Sequence, residues 1–213
     1  MNLEFPDIRA TLNPEAIVLQ SENPLHILAS AVVGGGITWA CYIINRHVDK
    51  SYNHPDPERD LQDFATSHGI DGPFVGLMTA AYLDGVQTVT LREHQLTVAA
   101  VVTAGLSNPT AAGISPPAVL TPGTINIILL IDAHLTSAAM VNAVITATEA
   151  KTNILLELGV STPEGHPATG TSTDAMAIAC TGRGKPLSYA GPATLVGSLI
   201  GRSVRQTLSQ AMA

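Results

Sequence analysis

Thr124-Ile125-Asn126-Ile127-Ile128-Leu129-Leu130-Ile131-Asp132 opens the stretch that decides the fold, which runs on to Asp174. Its apolar run, closed by Asp132, reads as a strand buried on both faces. A helix follows over residues 138–158: Thr136 is the N-cap, Met140, Val144, Ala147, Ile154, Leu155 and Leu158 carry the apolar spacing, and Gly159 is the stop. Asn142, Thr146, Glu149 and Asn153 recur at steps of four, three and four and therefore form one polar line along that helix. Beyond Gly159 a polar turn region leads through Ala168-Thr169-Gly170-Thr171-Ser172-Thr173-Asp174 into a second apolar strand, 175–180. A buried strand, a sparsely charged helix and a hydroxyl-rich loop ending in Asp174 make a candidate site.

Outward from this centre the chain supplies more strands than helices. Residues 25–33 and 37–44 are strand candidates turned by Gly34-Gly35-Gly36, and 58–68 has helical spacing stopped by Gly69. The segments 75–81, 86–91 and 96–104 read as three strands in succession and predict an antiparallel sheet, and 196–211 supplies a final helix. The fold class expected is α+β: a mixed, largely antiparallel sheet or sheets with helices packed on the faces, as two layers or as a helix-sheet-sheet-helix sandwich. With 213 residues and no linker, residues 1–213 are expected to form a single domain.

Composition narrows the function classes. Charged residues are 13% of the chain, about half of the ~25% usual for soluble domains, and hydrophobic residues 46%, so much of the chain must be buried. A formal net charge of -7, with ten Lys plus Arg scattered along the chain, leaves no stripe to track phosphates, and no nucleic-acid partner is expected. Cys41 and Cys180 lie in apolar runs and read as reduced thiols, and no two His sit at zinc-ligand spacing on a helix. The stretches 24–44 and 96–130 contain no Asp, Glu, Lys or Arg, yet Gly34-Gly35-Gly36 interrupts the first, and Pro109, Pro116, Pro117 and Pro122 the second. No membrane span and no signal peptide are expected, and the protein is expected in the cytoplasm.

Lys151 and Glu149 are two apart, hence about 200° apart around the helix, and cannot share a face. Lys151 falls on the apolar side, where a charge is costly unless paired, and Glu149 on the polar line. Asp174 and Glu149 are candidate bases, His47 a candidate acid or base, and Thr171 or Ser172 candidate nucleophiles. Backbone donors near Thr171 or Gly105 are candidates for holding an oxyanion.

Read together, Asn45-Arg46-His47-Val48, the segment 75–81, Thr103-Ala104-Gly105-Leu106-Ser107-Asn108-Pro109, Gly123-Thr124-Ile125-Asn126-Ile127, Thr148-Glu149-Ala150-Lys151-Thr152, the loop 168–174 and Tyr189-Ala190-Gly191-Pro192 resemble the adenosylcobinamide amidohydrolase family. The resemblance spans nearly the whole chain and departs from the family pattern at Ser172, where Gly is commoner, and at Ala193, where His is commoner. It implies a hydrolase that cleaves the amide joining adenosylcobyric acid to aminopropanol in corrinoid salvage toward cobalamin. A corrinoid is then the partner, cobalt arrives with that substrate, and no cofactor or protein-bound metal is expected. A homo-oligomer is compatible with this reading. The rival reading is a non-catalytic corrinoid-binding or carrier protein. The expected catalytic residues are Glu149, Asp174, His47 and Lys151, and the expected substrate contacts Asn45, Thr103, Ser107, Asn108, Asn126, Thr171, Ser172 and Thr173.

Overall fold

The computed structural model describes residues 1, 3–117 and 123–212. In chain order its elements are β1 (Ile8–Leu12), β2 (Ala16–Ala29), β3 (Gly36–His47), α1 (Pro57–Ser67), β4 (Phe74–Thr79), β5 (Gln87–Glu93), β6 (Leu96–Ala104), β7 (Pro109–Thr110), β8 (Ile125–Ile131), α2 (Ser137–Glu157), β9 (Gly170–Thr171), β10 (Ala175–Cys180) and α3 (Leu195–Ala211). One sheet runs β4-β3-β2-β10-β8-β6-β5, with β1 added along β2. The β8–β10 and β3–β4 pairs are parallel, and the other pairs of this sheet are antiparallel. The molecule is α+β, as the sequence predicts.

β8 is buried at every position, which explains its lack of alternation, and each of its Leu and Ile side chains contributes about 1.5–3 kcal/mol by leaving water. Ile125, Ile127, Leu129 and Ile131 pack with Val98, Val102 and Ile178 beneath α2 and α3. The opposite face, carrying Ile128, Leu130, Val101 and Ala177, packs against Ile17, Leu19, Ile43, Val75 and Leu77 of β2, β3 and β4. The sheet therefore folds over itself, and the β2–β3 ladder shifts register between Gln20 and Leu25, an irregularity of the kind that lets a strand bend. α1 covers the outside of the folded-over part through Leu61, Phe64 and Ala65 against Ile44. Of the two arrangements expected, the helix-sheet-sheet-helix stack is the one found, with both sheet layers belonging to one continuous ladder.

The helix ends follow local chemistry. Thr136 accepts from the Ala139 N–H at 3.2 Å, Thr194 from the Gly197 N–H at 3.0 Å and Asp56 from the Arg59 N–H at 3.0 Å, each satisfying a donor that the helix itself cannot. The expectation of three successive antiparallel strands needs correction. β5 and β6 pair, but β4 lies at the far edge of the sheet, parallel to β3. The connection after β4 makes one 3-10 turn, Leu83–Gly85, and sinks Leu83 between the two sheet layers, so burying that side chain carries the chain from one edge to the other. Among the described residues no helix is long and apolar enough to cross a membrane. Pro122 lies outside the described residues.

Candidate active site

Folding over brings the C-terminal ends of β3 and β4 against the end of β6 and the start of β8. Polar side chains seal this meeting. The Asn126 amide donates to Asn45 Oδ1 and to the Met78 carbonyl, both at 2.8 Å. The Asn45 amide donates to Thr103 Oγ1 at 3.0 Å, and Thr103 lies 3.4 Å from Thr79 Oγ1, which accepts from the Ala81 N–H at 3.1 Å. The Thr124 hydroxyl stands 2.7 Å from the Thr173 carbonyl and 3.0 Å from Asn126 Oδ1. Asn45, Thr79, Thr103, Thr124 and Asn126 are all buried. A buried amide costs free energy unless it is satisfied, and both amides here are hydrogen-bonded at oxygen and nitrogen alike.

His47 continues this line outward. Its Nδ1 lies 3.1 Å from the Ala81 carbonyl; a carbonyl only accepts, so Nδ1 carries the proton and Nε2 of the neutral ring keeps its lone pair. His47 lines a depression of about 430 Å³ with Leu12, Asn13, Pro14, Tyr82, Leu83 and Asp84. On the other side of Tyr82, a smaller depression of about 130 Å³ is bounded by Lys50, Ala81, Gly105, Ser107 and Gly123. Gly123 is required here, since at φ +154° a Cβ would strike Ser107 and Asn108, and at Gly105 a Cβ would be tight, 3.3 Å from Ala81 Cβ. Next to His47, Arg46 pairs with Asp60 of α1 at 2.8 Å and lies 4.7 Å over the Phe64 ring, fixing the end of β3 to that helix. Burial alone would raise the Asp60 carboxyl, but hydrogen bonds from Tyr52 and Arg46 outweigh it and hold its pKa below the usual carboxylate value.

The hydroxyl loop closes the other side. Asp174 Oδ1 accepts from the Ile125 N–H at 3.0 Å, the Thr171 N–H at 3.2 Å and the Thr171 hydroxyl, while Oδ2 takes a short contact from Lys151 Nζ. The charge on the apolar side of α2 is thus paired, with both side chains mostly buried. The Asn108 amide donates to the Ser172 hydroxyl, Thr173 donates to the Gly123 carbonyl at 2.9 Å, and β7 pairs with β9. The loop after β6 and the loop before β10 are therefore one tied unit.

The structure gathers eleven of the twelve expected site residues at this one end of the sheet: His47, Lys151, Asp174, Asn45, Thr103, Ser107, Asn108, Asn126, Thr171, Ser172 and Thr173. Glu149 is apart, on the exposed side of α2. Two of the four residues of its polar line dock neighbours: Thr146 donates to the Ala190 carbonyl at 2.9 Å, and Asn153, with Glu157 one turn on, holds Arg205 of α3. The oxyanion donors expected near Gly105 and Thr171 are already engaged, since the Gly105 N–H donates to the Thr124 carbonyl at 2.9 Å and the Thr171 N–H to Asp174. Tyr82 and Lys50 also border these depressions; neither carries a sequence signal, since Tyr82 lies one residue past the segment 75–81 and Lys50 is an isolated surface lysine. Among the described residues no group of three His, Cys, Asp or Glu could hold a metal.

A family model described as adenosylcobinamide amidohydrolase matches residues 4–213. A protein of Methanosarcina mazei named adenosylcobinamide amidohydrolase is 34% identical over 184 residues, covering 82% of this chain and 84% of its own. A Halobacterium salinarum protein of the same name is 36% identical over 118 residues, covering 52% of this chain and 48% of its own. In fold, the chain resembles a protein of Pyrococcus horikoshii OT3 of known crystal structure, with a TM-score of 0.56 and 12% identity over 96% of this chain and 78% of that one.

Proposed function

The chain belongs to the adenosylcobinamide amidohydrolase family, and from that premise we propose that it hydrolyses the amide joining aminopropanol to adenosylcobyric acid at the sheet end built around Asn45, Thr103 and Asn126. The observation that carries the placement is convergence: motifs from β3, β4, β6, β8 and the loop before β10, far apart in sequence, meet there in one hydrogen-bonded assembly.

Hydrolysis of an unstrained amide needs a base for the attacking water, a charge to stabilise the oxyanion and a proton for the departing nitrogen. His47 Nε2 is the group equipped for the first and the last. It takes a proton as water attacks the carbonyl carbon, then hands it to the amine nitrogen as the C–N bond breaks, leaving a carboxylate on the corrinoid and a free amino alcohol. Asp174 is saturated by four donors and, with Lys151, positions the loop carrying Thr171, Ser172 and Thr173. Asn45, Thr103 and Asn126, being buried, hold the floor rather than meet the substrate. Cobalt arrives within the corrin, and we place the reaction in the cytoplasm.

Incubating the purified protein with adenosylcobinamide is expected to release aminopropanol in step with adenosylcobyric acid, followed by chromatography and mass. A corrinoid that binds and stays intact would make the protein a carrier instead.

A further inference from the structure

Tyr82 is 71% exposed, yet the backbone on either side of it is held. Before it, the Ala81 N–H is bonded to Thr79 and the Ala81 carbonyl to His47. After it, Leu83 is buried between the sheet layers, and the Val86 N–H returns to the Leu83 carbonyl at 3.2 Å. The ring centroid lies 5.9 Å from that of His47. Tyr82 also borders both depressions. A corrin with its amide arms and adenosyl group is a broader body than the depression of about 130 Å³, and Tyr82 borders both depressions, so a macrocycle whose arm enters beside His47 would meet the Tyr82 ring.

We propose that Tyr82 seats the corrin macrocycle: its ring packs against the macrocycle while the amide-bearing arm reaches down beside His47. This rests on the amidohydrolase reading above. An aromatic on a fixed backbone has only two side-chain torsions to lose when a ligand covers it, and the contact serves binding of substrate and product alike and not the chemical step. The hydroxyl is not required; the ring is.

The test uses Tyr82→Ala and Tyr82→Phe in the full chain. Tyr82→Ala is expected to raise KM for adenosylcobinamide by about ten-fold, the loss typical of one stacked aromatic, with kcat within about two-fold of the parent, the signature of lost uniform binding. Tyr82→Phe is expected to match the parent. Equilibrium binding of adenosylcobyric acid, followed by corrin absorbance, should weaken in Tyr82→Ala by the same factor. This second readout needs no turnover, so it judges Tyr82 even if the parent protein leaves the amide intact. Unchanged affinity for adenosylcobyric acid in Tyr82→Ala would overturn the proposal, as would a Tyr82→Ala loss confined to kcat.

Discussion

The proton transfer proposed for His47 depends on one hydrogen bond, from Nδ1–H to the Ala81 carbonyl, which fixes the tautomer and leaves Nε2 with its lone pair. Glutamine at this position keeps a donor for Ala81 but has no basic nitrogen. His47→Gln should therefore lower kcat by roughly 10²-fold or more without shifting the thermal midpoint. Glu149→Gln should leave both kcat and midpoint at parent values, because that carboxylate faces solvent on α2. Steady-state rates and melting curves on the two variants check the pair; a Glu149→Gln protein that folds normally but has lost its rate would move the site. Residue by residue, the sequence marked His47 and Asp174 because each sits inside a motif, and the structure sets both at the same end of the sheet. It misplaced the meaning of the polar line, because a stripe of Asn, Thr and Glu has the same spacing whether it faces a ligand or docks a neighbouring helix. The buried role of Asn45 and Asn126 was equally hidden, since a fully satisfied amide is recognised by its partners in space alone.

At the scale of elements, α2 shows how local and long-range chemistry divide the work. Its N-cap at Thr136 and its termination before Gly159 were legible because they depend on neighbours in sequence. The partner of Lys151 lies beyond the end of the helix, at Asp174, and there the spacing said only that a partner was needed. Removing one member strands the other charge in a largely buried place, so Lys151→Met or Asp174→Asn alone should destabilise the fold by about 3–5 kcal/mol. The double variant Lys151→Met/Asp174→Asn should recover a substantial part of that loss. Urea unfolding of the two singles and the double closes the cycle; additive losses would mean that the two side chains do not act as a pair. The position of β4 was illegible for a related reason: three strands in a row suggest neighbours, and only the burial of Leu83 tells the chain to cross to the other edge.

Across the whole molecule, the fold-over is sealed at its open end by the Asn45, Thr79, Thr103 and Asn126 network. Asn126→Ala would leave Asn45 Oδ1 and the Met78 carbonyl without their donor, at about 1–3 kcal/mol per stranded group. Amide hydrogen exchange should then speed up over residues 78–83 while α3 keeps its protection, and equal acceleration in both would show that the network does not act at that end. The strand order has a further consequence, in the time course of folding. β10 stands between β2 and β8, and residue 29 pairs with residue 177, so the sheet becomes continuous only when a strand made late in synthesis inserts beside one made early. Contacts so distant along the chain are slow to form, because the entropy of closing the loop must be met before the pairing repays it. On a growing chain β1 covers residues 17–21 of β2, but residues 26–29 keep an unpaired edge until β10 emerges, which makes that part of β2 open to wrong pairing and aggregation during synthesis.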